Sequence, residues 1–119
     1  MSNFLKLIGE QIRMIRKQKG MTQEELGERA QLQSSYIGGI ERGERNISLE
    51  TLEKIIHALR VSPELVLKFG NIDPNIKRLD KNDLLDIHSA LLADRKYEEI
   101  LMVHRISKEI FSNIDSNKR

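Results

Sequence analysis

Apolar residues recur at intervals of three and four along most of the chain, the spacing of one face of an α-helix. The first stripe consists of Leu5, Ile8, Ile12 and Ile15. Such stripes predict seven helices: residues 4–18, 23–30 and 34–42, one that starts after Ser48, a short one from Pro63 to about residue 69, and two near 81–93 and 95–113. Two prolines and seven glycines in 119 residues also favour helices, so the pattern predicts an all-α fold.

The stretch 22–43 reads as two short helices joined by a tight turn. Thr22 and Glu25 have the spacing of a capping box at the start of the first helix. Gly27 leaves room for a close helix crossing, and Gln31 follows as the first residue of the turn. Apolar residues at 26, 32, 37 and 40 then predict buried positions. This spacing is a helix-turn-helix pattern.

The exposed positions of the second helix are unusual for a solvated surface. They are small or hydrogen-bonding, and one of them is charged: Gln33, Ser34, Ser35, Gly38, Gly39 and Arg42. A helix that only needs to be soluble more often carries Glu and Lys there. We therefore expect this helix to contact a partner.

Composition narrows the classes of function. The net charge is only +2, with ten Lys/Arg against eight Asp/Glu in residues 1–62 and ten of each in the remainder. A mixed-charge surface explains this balance as well as nucleic-acid binding does. The chain contains no cysteine, which fits a reducing cytoplasm, and its first residues predict neither a signal peptide nor a membrane anchor. We find no nucleophile–base set, Gly-rich phosphate loop or metal-ligand pattern, so no catalysis, cofactor or metal is expected.

Residues 8–67 resemble the DNA-binding domain of the phage lambda/434 repressor and Cro class, the XRE family. Besides the spacing, the resemblance rests on IRKQKGMTQEEL at 15–26 and SSYIGGIERGERNISLETLEKI at 34–55. Over 34–46 the chain is particularly similar to the controller proteins of restriction–modification systems. The resemblance implies a five-helix, lambda-repressor-like domain over 1–70. It departs from the family at Gln31, where glycine is usual because the backbone is left-handed, at a cost of about 1 kcal/mol.

The resemblance also implies roles for individual residues. Arg16 is expected to pair with Glu41 and so to have a structural role. Gln23 would hydrogen-bond the DNA backbone from the first turn of its helix, with capping as the alternative. Base-reading candidates at the start of the third helix are Gln33, Ser34 and Ser35, although serine there can also serve as an N-cap.

Further contacts are expected around the end of the third helix. Tyr36 would touch the sugar-phosphate backbone or else be a packing residue. At Gly38 and Gly39 either the backbone approaches DNA closely or few bases are read directly. The loop that follows supplies Arg42, Arg45 and Asn46 as phosphate contacts, with Arg45 the strongest candidate.

The fourth helix and the segments after it complete the prediction. Its expected core stripe is Leu49, Leu52, Ile55, Ile56 and Leu59, and Ser62 is expected to cap the fifth helix. Residues 71–79 read as a linker and 80–114 as a helical hairpin, which has too little core to be stable alone. We expect it to pack on the domain or across a dimer. The predicted dimer interface consists of Leu65, Val66, Phe69, Leu84, Ile87, Leu91, Ile100, Val103 and Ile110.

The predicted function is therefore that of a sequence-specific transcriptional regulator that binds double-stranded DNA as a homodimer on an inverted repeat. A module that binds a partner protein through its C-terminal helices, such as an antitoxin, is the alternative from another class. A restriction–modification controller is a narrower alternative within the regulators, although those proteins are usually shorter.

Overall fold

The computed structural model describes residues 3–76 and 78–118, and within these ranges the secondary structure is entirely helical. The all-α prediction is confirmed. The helices are α1 (Phe4–Gln18), α2 (Gln23–Ala30), α3 (Ser34–Glu41), α4 (Leu49–Leu59), α5 (Pro63–Leu67), a short 3-10 helix (Phe69–Asn71), α6 (Lys81–Ala93) and α7 (Tyr97–Ser116). None of the helices in these ranges is both long and apolar enough to span a bilayer.

The helix ends follow the local sequence. The Thr22 hydroxyl accepts the Glu25 backbone N–H at 3.0 Å, and the Glu25 carboxylate accepts the Thr22 N–H at 3.1 Å, so the capping box is present. Gln31 ends α2 in the left-handed conformation that the family resemblance implied (φ 60°). Ser62 is the N-cap of α5 by backbone geometry, but its side chain makes no capping bond, so this part of the prediction was wrong.

The main core lies where α1 to α5 meet. Its buried apolar residues include Ile8, Ile12, Ile15, Leu26, Ile37, Ile40, Ile55, Leu59 and Val66. Burial in α4 is confined to its second half, because the first turn of that helix extends beyond the core. Leu49, the first residue of α4, is consequently 84% exposed, and the prediction that it belongs to the core was wrong.

A second apolar cluster joins the C-terminal extension to α1. Leu7, Ile72 and Ile87 are buried together, with Ile76 and Leu79 packed beside them. Ile72, Ile76 and Leu79, which belong to the segment that the sequence suggested as a linker, are therefore packed against the domain. Lys77, which belongs to that segment, lies outside the described residues.

Two of the predicted dimer residues are instead internal. Val66 is fully buried in the main core, and Ile87 is 4% exposed in the second cluster. Both predictions were wrong for the same reason: the periodicity of a helix identifies an apolar face but not whether the same chain or another covers it.

The two C-terminal helices do not form the hairpin that the sequence suggested. α6 packs against the 3-10 helix, where the Cα of Leu91 would lie 2.8 Å from a Cβ added at Gly70. α7 instead contains no buried residue over its described length. At 1.5 Å per residue α7 is about 30 Å long, and the molecule measures 55 × 32 × 27 Å.

Candidate nucleic-acid interface

The turn between α2 and α3 depends on the missing side chain of Gly27. A Cβ at that position would lie 2.5 Å from the carbonyl oxygen of Leu32, closer than any real contact. The backbone of the turn can therefore pass directly beside α2. Burial of Ile37 and Ile40 then fixes the rotation of α3 about its own axis. The helix-turn-helix geometry that the spacing predicted is present.

A buried ionic cluster fixes the far end of α3. The Arg16 guanidinium donates to the Glu41 carboxylate through Nε at 2.6 Å and Nη2 at 3.0 Å. The third hydrogen bond of that guanidinium, from Nη1 at 2.7 Å, goes to the carbonyl of Met21. The resemblance implied the pair between Arg16 and Glu41, and the structure confirms it. Bidentate arginine–carboxylate pairs fix orientation as well as distance, so α1 fixes the position of the end of α3.

Gln23 joins the same cluster. Its side-chain nitrogen donates to Glu41 Oε1 at 3.1 Å, and the side chain is half-buried. Its Oε1 lies 3.4 Å from where a Cβ of Gly38 would be, so the amide lies alongside α3. The residue expected to contact DNA is thus held in place by the last residue of α3.

The first turn of α3 presents its polar residues outward. Gln33 is the N-cap and is exposed, with an extended backbone and no side-chain capping bond. Ser34 is the first helical residue and not the N-cap, so the N-capping alternative for it was wrong. Ser35 is exposed and Ser34 is half-buried.

The two glycines of α3 make room for arginine side chains. A Cβ at Gly39 would lie 2.9 Å from Cγ of Arg45, and one at Gly38 would lie 3.1 Å from Nη1 of Arg42. Gly38, expected at an exposed position, is buried, and so is Gly39, which was expected at the DNA surface. Its place on that surface is taken by Arg45, a contact that sequence reasoning missed. Two consecutive glycines followed by a basic loop were the available signal.

Arg45 also lies over an aromatic ring. Its guanidinium carbon is 5.7 Å from the centroid of the Tyr36 ring, within the range of a cation–π interaction. Arg42 forms an ion pair with Glu44 at 3.0 Å, and both side chains are exposed. Such a surface pair contributes little to stability, so the Arg42 guanidinium can change partner at small cost. Asn46 is also exposed.

Most of the predicted DNA-binding residues are accessible on α3 or in the loop after it. Gln33, Ser35, Arg42, Arg45 and Asn46 are exposed, and Ser34 and Tyr36 are half-buried. Gln23 lies beside Gly38, and Gly39 lies beside Arg45.

The remaining predicted dimer residues fall into two groups. Leu65 and Phe69 are half-buried beside the main core. The others are exposed or half-buried on α6 and α7: Leu84, Leu91, Ile100, Val103 and Ile110. Other exposed apolar side chains lie outside the predicted dimer set, namely Leu67, Ile106, Phe111 and Ile114. Leu67 and Leu91 line one surface groove.

Comparison with known proteins is consistent with this geometry. The helix-turn-helix family model matches residues 12–66. Control protein C.BamHI of Bacillus amyloliquefaciens is 45% identical over 72 residues, which is 60% of this chain and 89% of that protein. A solved structure of the restriction–modification controller C.Esp1396I, bound to a 25 base pair operator site, is 40% identical, with a TM-score of 0.53, and covers 56% of this chain and 88% of that one.

A third relative reaches the extension. The transcriptional regulator SinR of Bacillus licheniformis is 40% identical over 99 residues, 80% of this chain and 89% of that protein. Because this match covers 80% of the chain, it must include α6 wherever the matched stretch begins. These relatives are regulators and control proteins, not enzymes, and they do not favour the alternative of a partner-binding module. The chain belongs to the helix-turn-helix family of the XRE class, whose members are DNA-binding transcriptional regulators.

Proposed function

We propose that two copies of this chain bind an inverted-repeat operator and thereby regulate transcription. The observation that carries the proposal is the fixed position of α3. Its end is held by the Arg16–Glu41 pair and its start exposes Gln33 and Ser35. A rigid helix with a polar, uncharged first turn suits insertion into the major groove.

Base edges are read by the first turn of α3. A Gln33 amide can donate and accept toward adenine, and the hydroxyls of Ser34 and Ser35 can serve either kind of base. Alanine at Ser35 removes one such hydrogen bond and leaves the fold unchanged, because Ser35 is exposed. The preference lost should therefore be confined to one position in each half-site.

The phosphates are contacted by residues beside that helix. Arg45 extends over Gly39 and Tyr36, and Arg42 reaches DNA by exchanging Glu44 for a phosphate. Asn46 adds an uncharged donor from the same loop. Phosphate contacts fix the register on the duplex and carry no sequence information.

The second copy is held through α7. Its exposed and half-buried apolar side chains recur along the helix at heptad-like intervals, with Ile100, Val103, Ile110 and Ile114 on one stripe. A long helix with an uncovered apolar stripe is not stable alone in water. In the dimer the two α3 helices would lie roughly 34 Å apart, one turn of the duplex. The solved structure of C.Esp1396I bound to a 25 base pair operator site supports DNA binding by this chain by similarity.

Selection of duplexes from a random library by the purified protein tests the proposal. We expect a palindromic motif. Arg45→Ala should weaken binding to all sequences and lower the salt dependence, whereas Ser35→Ala should relax one position per half-site. The regulator proposal is refuted if no motif is recovered and the affinity for all duplexes simply falls as the salt concentration rises.

A further inference from the structure

Arg78 joins the C-terminal extension to the end of α3. It belongs to the segment between the 3-10 helix and α6. Its Nη2 donates to the backbone carbonyl of Glu41 at 3.2 Å, and the same guanidinium forms an ion pair with Glu10 of α1. One side chain from outside the helix-turn-helix domain thus contacts both α1 and α3.

The carbonyl that Arg78 reaches is not satisfied by the local backbone. α3 ends in a Schellman motif, in which Gly43 N–H donates to Ile40 at 3.0 Å and Glu44 N–H donates to Gly39 at 2.9 Å. These two bonds leave the carbonyl of Glu41 to Arg78. A cation there also suits the negative end of the helix dipole. Arg78 therefore completes the C-terminal cap of α3.

The second partner, Glu10, has a carboxylate that requires a cation. Its side chain is 1% exposed, whereas that of Arg78 is 38% exposed. A buried ionised carboxylate without a partner is strongly unfavourable. The pairing with Glu10 therefore keeps the guanidinium against α1, in reach of Glu41.

The extension is itself anchored near this site. Ile76 and Leu79 flank Arg78 and pack into the second apolar cluster. Lys6 of α1 forms an ion pair at 2.5 Å with Asp83 in the first turn of α6. The backbone of Lys6 also lies beneath Gly43, where a Cβ would be 2.8 Å from the Lys6 Cα. Residues 76 and 78–83, the start of α1 and the loop after α3 thus form one packed region.

We propose that Arg78 is a positioning residue for DNA binding: it holds the end of α3 and the loop that carries Arg42 and Arg45, although it does not itself touch DNA. The inference rests on the function proposed above. According to this inference, the C-terminal extension contributes to operator affinity through Arg78, in addition to any role of α7 in holding two copies together.

Two variants and a matched control test the proposal. Arg78→Ala removes both contacts, which a single nitrogen, Nη2, makes in the wild type. Arg78→Lys keeps a positive charge for Glu10 but replaces the planar guanidinium by an ammonium group. Arg95→Ala is the control, because Arg95 also belongs to the extension but is exposed and lies 4.0 Å from Glu99. Amide hydrogen exchange of Gly43 and Glu44 is measured first, on the full chain without DNA. Exchange there should rise roughly three- to tenfold in Arg78→Ala and less in Arg78→Lys, with the α2 amides unchanged.

Binding to a selected operator and to an unrelated duplex is measured next. Arg78→Ala should lower the ratio of specific to non-specific affinity roughly three- to tenfold. The slope of log K against log salt should stay at the wild-type value, because no phosphate contact is lost. Arg95→Ala should change neither quantity.

Three results would overturn the proposal: unchanged exchange at Gly43 and Glu44, an equal rise of exchange throughout the chain, or a salt slope reduced by about 1, which would mark Arg78 as a phosphate contact. An unchanged affinity ratio in a variant with faster local exchange would overturn the claim about DNA binding. A wild-type protein without a preferred operator would instead refute the proposed function, while the exchange result would still show whether Arg78 holds α3.

Discussion

The carboxylate of Glu41, the last residue of α3, accepts two hydrogen bonds from the guanidinium of Arg16 in α1. Both side chains are almost completely buried. A buried pair of this kind adds little net stability over apolar replacements, but removal of one partner leaves the other charge unpaired. The pair therefore acts mainly to set the position of α3 against α1.

Breaking this pair on one side should strongly destabilise the fold. We expect Arg16→Met to lower the free energy of unfolding by about 3–5 kcal/mol, because Glu41 then stays buried without its cation. Urea denaturation measures the change. The double variant Arg16→Met/Glu41→Leu should lose clearly less than the single variant. Equal losses would show that packing and not the unpaired charge is responsible.

Replacing the left-handed residue of the turn by glycine should stabilise the fold. Gln31 has φ 60°, a conformation that costs a side-chain-bearing residue about 1 kcal/mol. Gln31→Gly should therefore raise the free energy of unfolding by up to about 1 kcal/mol. The control is Lys19→Gly, because Lys19 also ends a helix but has φ −83°, so glycine should destabilise it. A loss of stability at both positions would contradict the interpretation.

The contact between α1 and α6 should weaken in acid. Burial raises the pKa of Asp83, but hydrogen bonds from the Lys6 ammonium, the Asp80 backbone N–H and Asn3 outweigh it and leave that pKa below the ordinary value of 3.8. Because the folded-state pKa is lowered, the stabilisation is complete above the unfolded-state pKa and is lost as pH falls through the folded-state pKa.

Unfolding of the wild type and Asp83→Asn at a series of pH values measures this effect. The difference in stability should be constant near neutral pH and shrink below about pH 4. Asp115→Asn, at an exposed position of α7, should show no comparable difference. A difference between wild type and Asp83→Asn that persists at the lowest pH would contradict the assignment.

The apolar side chains of α7 should hold the proposed dimer together. Ile110 is 50% exposed in the single chain. Ile110→Asp should raise the dissociation constant of the dimer at least about tenfold, because a carboxylate would be buried against the second copy. Sedimentation equilibrium measures the change, with Glu109→Gln as the control on the neighbouring position. A wild-type chain that is monomeric at high concentration would rule out this interface.

Much of the fold follows from local sequence, and the remainder depends on contacts between distant segments. The capping box at Thr22, the turn at Gln31 and the buried stripe of α3 each involve residues within a few positions of one another. The contact between Leu7 and Ile72 could not be predicted from local sequence. α1 is buried on several of its faces, whereas a single apolar stripe identifies only one face.

The candidate site shows the same division. The polar first turn of α3 was evident from residue types alone. The placement of Arg45 over Gly39 was not, because it requires the loop after α3 to fold back along the helix. The pairing of Arg78 with Glu10 and Glu41 is still less accessible from sequence, since these residues belong to three separate segments.

The most direct test of a sequence-reading dimer varies the distance between the half-sites of the selected operator. Affinity is measured for duplexes with the original spacing and with about five or about ten extra base pairs at the centre. Half a turn places the half-sites on opposite faces of the duplex, so we predict a loss of most specific affinity, with partial recovery when a full turn is inserted. Affinity that does not depend on spacing would show that two copies do not read the duplex together, and would contradict the account.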